Sequence, residues 1–255
     1  MDWIQALILG LVQGITEFLP ISSSGHLVLS KHLLNIKESG ILIEVALHFG
    51  TLIAIIIYYY NDLVDLSKDF VYNRQNSRSY ILKIIIATLP AIVVGLFLQN
   101  LIEEYFTISI IKITFFLTGI ILMSTLFYSN NKSSNISIKQ AVIIGLLQAF
   151  AILPGISRSG ITISIAMLLG IKKEESARFS FYLAIPILSG AVLLQIYKIN
   201  NIISINYLPL IIGIISSALT GYMVIDWLLS VIYRGRFWFF SIYCIMLSII
   251  TIIIF

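Results

Sequence analysis

The chain has 255 residues, of which 59% are hydrophobic and only 11% charged, with a mean hydropathy of +1.01. Soluble domains carry about 25% charged residues, so this composition excludes a soluble domain and identifies an integral membrane protein. The net charge of +4 comes without a basic stripe interleaved with aromatics, so nucleic acid is not an expected partner; the lone Cys244 excludes a disulfide framework or a cysteine metal cluster.

The first apolar run, 3–19, lacks a basic leading segment, contains Glu17 and leads into Ser-Ser-Ser-Gly-His instead of a cleavage site, so it is expected to remain in place. A second short run follows at 23–35. Crossing a hydrocarbon core takes roughly 20 residues, and spans of that kind are expected at 41–60, 80–99 and 106–128. The pattern then recurs, with short runs at 138–153 and 159–170 and spans at 177–199, 206–228 and 237–255. Tyr58, Tyr59 and Tyr60 read as an interfacial aromatic belt, and Pro90 and Pro186 as kinks within spans.

Each pair of short runs meets at a Pro/Ser/Gly break. Residues 10–26 read GLVQGITEFLPISSSGH and residues 145–161 read GLLQAFAILPGISRSGI. Gly10, Gln13, Ser22, Ser24 and Gly25 stand 135 positions before Gly145, Gln148, Ser157, Ser159 and Gly160, while Pro20 and Pro154 are out of step by one. Broken backbone is tolerated in a membrane only where protein buries it or where it lines a wet cavity. Paired interrupted segments therefore point to a site at the repeat interface. Each pair is expected to form a re-entrant hairpin that enters the bilayer, turns and leaves on the same side; one kinked helix per pair is the alternative.

The expected fold is an all-α integral membrane protein with six transmembrane helices and four short helices in two re-entrant hairpins. It forms a single membrane domain over 1–255, with inverted repeats at 1–130 and 131–255. Three crossings per half turn the second half upside down. One side then receives Lys68, Arg74, Arg78, Lys83, Lys132, Lys139, Lys172, Lys173, Arg178, Arg234 and Arg236, and the other only Lys31, Lys37, Lys112 and Lys198. The positive-inside rule makes the first side cytoplasmic, with both termini and the mouth of the first hairpin outside.

Arg158 and Glu17 are the charges left near the hairpin tips, and an intramembrane charge is a functional candidate unless it serves only as a structural ion pair. Ser-Ser-Ser-Gly and Ser-Arg-Ser-Gly each open a helix whose unpaired N–H groups favour an anion. Ser22, Ser24, Gly25, Ser157, Ser159, Gly160 and Thr162 are the candidate anion-binding residues. The Arg158 guanidinium suits phosphate oxygens, so a phosphate or diphosphate is the natural ligand. Gln13 and Glu17 share a helix face, where oxygens could hold a hard cation, and with Ser23 and His26 they make a carboxylate, a hydroxyl and an imidazole that resemble a nucleophile, a base and a charge or metal handler. His48 reads either as a core histidine or, with Glu44 one turn before it, as part of the site lining; His32 and Asp226 read as interfacial.

These motifs resemble the bacterial undecaprenyl-diphosphate phosphatases linked to bacitracin resistance. The residues that carry the resemblance are Gln13-Gly-Ile-Thr-Glu17, Ser22-Ser-Ser-Gly-His26 and the run from Pro154 through Thr162, and it covers essentially the whole chain. It implies hydrolysis of undecaprenyl diphosphate to undecaprenyl phosphate and inorganic phosphate, recycling the lipid carrier for cell-wall synthesis. It also implies a divalent cation, Mg²⁺ or Ca²⁺, and a place in the cytoplasmic (inner) membrane. By carry-over Glu17, Ser23, His26 and Arg158 are catalytic, with Gln13 beside Glu17 at the metal. Many relatives have Glu where this chain has Gln13, which places the burden on Glu17. Attack by Ser23 with His26 as proton partner, attack by His26, and direct attack by water all remain open. The alternative function is a secondary transporter or flippase of an anion or prenyl-phosphate lipid. The expected partners are a prenyl diphosphate and the bilayer; a homodimer is one option for the assembly.

Overall fold

Helix starts are written into this chain as side-chain caps. Asp2 accepts from the Gln5 N–H at 2.7 Å while the Gln5 side chain accepts from the Asp2 N–H at 3.1 Å, and this capping box opens α1 (Trp3–Phe18). Ser137 and Gln140 make the same reciprocal pair, 135 positions later, at the start of α7 (Ile138–Gln148). The repeat thus extends back from the broken phrase to the caps.

The computed structural model describes residues 1–36, 41–103, 106–128, 133–197 and 207–255. After α1 come α2 (Ser23–Leu33), α3 (Ile41–Tyr58), α4 (Tyr60–Val71), α5 (Gln75–Glu103) and α6 (Ile108–Met123). After α7 come α8 (Arg158–Leu168), α9 (Lys173–Tyr197), α10 (Tyr207–Tyr233) and α11 (Phe239–Ile254). Short 3₁₀ turns, Ser124–Phe127 and Ala149–Ile152, extend α6 and α7. Among the described residues the fold is all helical apart from one isolated bridge between Ser133 and Ile171.

Among the described residues four helices are long and apolar enough to cross a membrane: Gln75–Leu98, Ile108–Phe127, Lys173–Tyr197 and Tyr207–Tyr233. The chain is a multi-pass membrane protein. A fifth span arises only if Leu42–Tyr58 and Tyr60–Val71 count together, and these are bent by 72°. The expected span 41–60 therefore ends at Tyr58. Beyond it α4 carries Asp62, Asp65, Lys68 and Asp69 on an amphipathic turn of chain, which departs from the direction of α3. The bend buries Tyr59 against Phe181 and Tyr182, with ring centroids 5.7 and 5.4 Å away, so this tyrosine is core and not belt. Tyr60 is exposed, and the Tyr58 hydroxyl donates to Asp226 at 2.5 Å. Pro90 and Pro186 both lie within continuous helices, α5 and α9.

Helices of one half pack on helices of the other. Helix α1 lies along α10 and α7 along α5, while α6 meets α11 and α3 meets α9. Lipid supplies no hydrophobic drive between helices, so close approach depends on small residues. A Cβ at Gly145 would stand 2.6 Å from the Ala87 carbonyl oxygen, and one at Gly10 would stand 2.9 Å from that of Gly213. Gly145→Val is expected to destabilise the fold by about 1–3 kcal/mol, the range for overpacking. Thermal unfolding in detergent should show a lowered midpoint, with Gly95→Ala as control because a Cβ there meets nothing within 4 Å.

Candidate active site

Proline sets both breaks. Leu19 precedes Pro20 and Leu153 precedes Pro154, and both are extended (ψ 146° and 133°), because a residue before proline is pushed out of the helical region. The carbonyls released from the helices need partners. Ser159 Oγ donates to the Leu19 carbonyl at 3.1 Å and the Cys244 thiol to that of Pro20 at 3.8 Å. Across the second break Thr114 donates to the Pro154 carbonyl at 2.6 Å and Thr118 to that of Gly155 at 2.9 Å. Gly155, at φ +86°, leaves no room for a side chain, since a Cβ would collide with Thr114. Protein thus buries both breaks, and Ser159 ties one to the other.

The helices that resume carry matched caps. Ser22 Oγ accepts from the Gly25 N–H at 3.4 Å, and Ser157 Oγ accepts from the Gly160 N–H at 3.1 Å. Ser22 pairs with Ser24, and Ser157 with Ser159, each at 3.2 Å between hydroxyl oxygens. Ser23 and Arg158 follow as the first helical residues, again 135 positions apart. The two positive helix ends therefore present a hydroxyl on one side and a guanidinium on the other.

Glu17 joins them. Its Oε1 accepts from Arg158 Nη2 at 2.7 Å, and its Oε2 accepts from Ser23 Oγ at 2.5 Å and from Gln13 Nε2 at 3.1 Å. The Glu17 and Arg158 side chains are 7% and 12% exposed, so this is a nearly buried ion pair and needs its extra hydrogen bonds. Gln13, Glu17, Ser23 and Arg158 form one constellation, while the Ser24 hydroxyl bonds Ser22.

Other expected site residues are engaged elsewhere. Ser157 and Ser159 are occupied in capping and in bridging the breaks, and Thr162 Oγ1 bonds Ser180 at 2.6 Å and the Arg158 carbonyl at 2.9 Å. Around the second break the hydroxyls are thus taken up within the fold, while the Arg158 guanidinium reaches Glu17. A bond between Ser23 and His26, which one of the three open modes of attack would use, is not formed. His26 Nδ1 bonds the Ser22 carbonyl at 2.7 Å and Nε2 bonds the Tyr243 hydroxyl at 2.7 Å, so the acceptor for Ser23 is Glu17. Glu44 pairs with Lys31, and His48 Nδ1 bonds the Glu44 carbonyl at 2.8 Å, which ties His48 into its own helix. His32 is exposed, its ring edge-on to Phe255.

Four contributors escaped the sequence reading: Thr114 and Thr118, which hold the second break, Ser180 beside Thr162, and Tyr243 on His26. Each is an uncharged hydroxyl-bearing residue in an apolar stretch, with no motif around it.

The chain matches the family of the bacitracin resistance protein BacA over residues 6–250. It belongs to that family. Relatives named undecaprenyl-diphosphatase include one from Geotalea daltonii, 41% identical over 99% of this chain and 98% of its own. Undecaprenyl-diphosphatase 1 of Bacillus cereus is 38% identical over 97% and 96%, and a Methanobrevibacter smithii relative 37% over 98% and 97%.

A divalent cation is implied by that resemblance, and the donors present fit a shared site. Among the described residues no group of three or more His, Cys, Asp or Glu side chains could hold a metal alone. Gln13 Oε1, however, is buried without a hydrogen-bond partner one turn before Glu17. One carboxylate, one amide oxygen and substrate phosphate oxygens are the donor set that Mg²⁺ commonly accepts, with water completing it.

Proposed function

We propose that this chain hydrolyses undecaprenyl diphosphate to undecaprenyl phosphate and inorganic phosphate. One observation carries the mechanism: a single buried carboxylate, Glu17, holds a serine hydroxyl at 2.5 Å and an arginine at 2.7 Å. The Ser23 Oγ attacks the terminal phosphorus as its proton passes to Glu17, and the bond to the bridging oxygen breaks to release undecaprenyl phosphate. Glu17 gives that proton to the departing phosphate oxygen; water then attacks the phosphoserine and passes a proton to Glu17, the bond from phosphorus to Ser23 Oγ breaks, Oγ recovers the proton from Glu17, and inorganic phosphate leaves. An arginine has five N–H donors, so Arg158 can keep Nη2 on Glu17, with Nη1 3.5 Å from the Ser180 carbonyl, while others face the equatorial oxygens. The N–H groups at the starts of α2 and α8 add positive potential where that charge spreads. Gln13 and Glu17 would hold a divalent cation with the phosphates; bound there, it supplies neutralisation of diphosphate charge.

The same reading holds the chain to be an inverted repeat, 1–130 and 131–255, with α3, α5, α6, α9, α10 and α11 crossing and the two short pairs re-entrant. Support comes from the duplicated caps and breaks, and from the exchange in which α1 packs on α10 and α7 on α5. Within each pair the short helices also pack on each other. The cation asymmetry puts both termini and the site mouth on the outer side of the cytoplasmic membrane, and the prenyl tail in apolar grooves facing lipid.

Purified protein is expected to release inorganic phosphate from a prenyl diphosphate, with the rate lost in EDTA and restored by Mg²⁺. No release from any prenyl diphosphate, together with anion uptake into proteoliposomes, would place the chain among transporters instead. Release that EDTA leaves unchanged would remove the cation from the site.

A further inference from the structure

We infer that Tyr243 is a positioning residue of this site, acting on the reaction only through His26. The inference rests on the diphosphatase reading above. Helix α11 brings the Tyr243 hydroxyl to 2.7 Å from His26 Nε2, with the two rings nearly parallel at 9° and their centroids 5.7 Å apart. On the opposite edge His26 Nδ1 lies 2.7 Å from the Ser22 carbonyl, and Phe115 of α6 meets the imidazole edge-on at 5.2 Å. A carbonyl can only accept, so Nδ1 carries the hydrogen. In a neutral ring Nε2 is then the acceptor, and the phenol must donate to it. The two bonds together fix the tautomer and the plane of the ring.

The latch bears on the hairpin tip. Ser22 sits at φ +69°, a conformation that side-chain-bearing residues adopt only under constraint. Two bonds hold it there: its hydroxyl caps the Gly25 N–H, and its carbonyl receives His26 Nδ1–H. Ser23 follows immediately and meets Glu17 at 2.5 Å. From Tyr243 through His26 and Ser22, the chain of contacts therefore ends on the attacking hydroxyl. Nothing in the sequence signals this, because Tyr243 belongs to no motif and lies 217 residues from its partner.

Tyr243→Phe keeps the ring and removes only the donor. Its kcat should fall about tenfold, as loss of a histidine-orienting partner commonly does, while KM for a prenyl diphosphate stays within about twofold of the parent value. In a His26→Ala background the same substitution should produce no further loss. In ¹⁵N-histidine-labelled protein the Nε2 resonance of His26, identified by its absence in His26→Ala, should move in Tyr243→Phe. An equal loss in the His26→Ala background, or an unmoved resonance, overturns the inference. Full turnover by His26→Ala would overturn it too, since Tyr243 acts only through His26, whereas failure of the diphosphatase reading would show as no phosphate release by the parent protein.

Discussion

Glu17→Gln is expected to lower kcat by about a thousandfold, within the range for losing a general base, and at the same time to lower KM. The two effects share one cause. In the free protein Glu17 holds Arg158 at 2.7 Å, so an arriving diphosphate must share the guanidinium with a carboxylate of its own sign of charge. The amide is uncharged and releases Arg158 to the substrate, which tightens binding of the anion. It also cannot take the Ser23 proton, which removes the chemical step. The variant protein should be less stable without ligand, because removing one partner of a buried pair leaves the other charge uncompensated at a cost of about 3–5 kcal/mol. Inorganic phosphate should then raise its unfolding midpoint more than it raises that of the parent, since an anion restores the missing partner. Steady-state kinetics and thermal unfolding with and without phosphate measure all three quantities. A raised KM with kcat intact would show that Glu17 serves binding and not proton transfer.

The apolar runs of the sequence already outline most helices, and the reason is the solvent. A helix in lipid must be apolar along its length, so its bounds appear as edges in composition. The run 138–153 becomes α7 and its 3₁₀ turn, ending at Ile152, and 206–228 becomes a helix from Tyr207 that continues to Tyr233. Helix α9 starts at Lys173, ahead of the expected 177, because its first turn is Lys-Glu-Glu and hydropathy registers only the membrane-grade part. Helix α4 was illegible for the same reason: its apolar stripe alternates with acidic residues, and 61–71 reads as a loop when only continuous runs are sought.

The site divides along a similar line. Glu17 and Arg158 could be singled out because an ionised group in apolar sequence is costly, and two such charges near two breaks invite pairing. What lay beyond reading was rotation about the helix axes. Ser180, Thr118 and Tyr243 carry only a hydroxyl to mark them, and which hydroxyls face the site depends on how α9, α6 and α11 turn against the two breaks. Periodicity fixes that turn when one face meets water. In a span with lipid on one face and apolar protein on the other, it records little.

Arg158→Ala should reduce kcat by about a hundredfold or more, the loss typical of one fixed donor to a developing oxyanion, and raise KM as well. Arg158→Lys should restore little of it, because a point charge cannot hold Glu17 and span phosphate oxygens together. Loss of activity alone would not separate a catalytic arginine from a structural ion pair, since breaking the pair also strands Glu17. The double substitution Glu17→Gln with Arg158→Gln makes that separation. It leaves two amides of similar length, 7% and 12% exposed in the parent, able to hydrogen-bond each other and Ser23 without any buried charge. Replacing a whole buried pair is often neutral or stabilising, whereas replacing half of one is not. The double variant should therefore unfold close to the parent midpoint, well above either single variant, and still release no phosphate. A double variant that recovered turnover along with stability would reduce the pair to scaffolding. Restored folding without restored turnover would place both charges on the substrate.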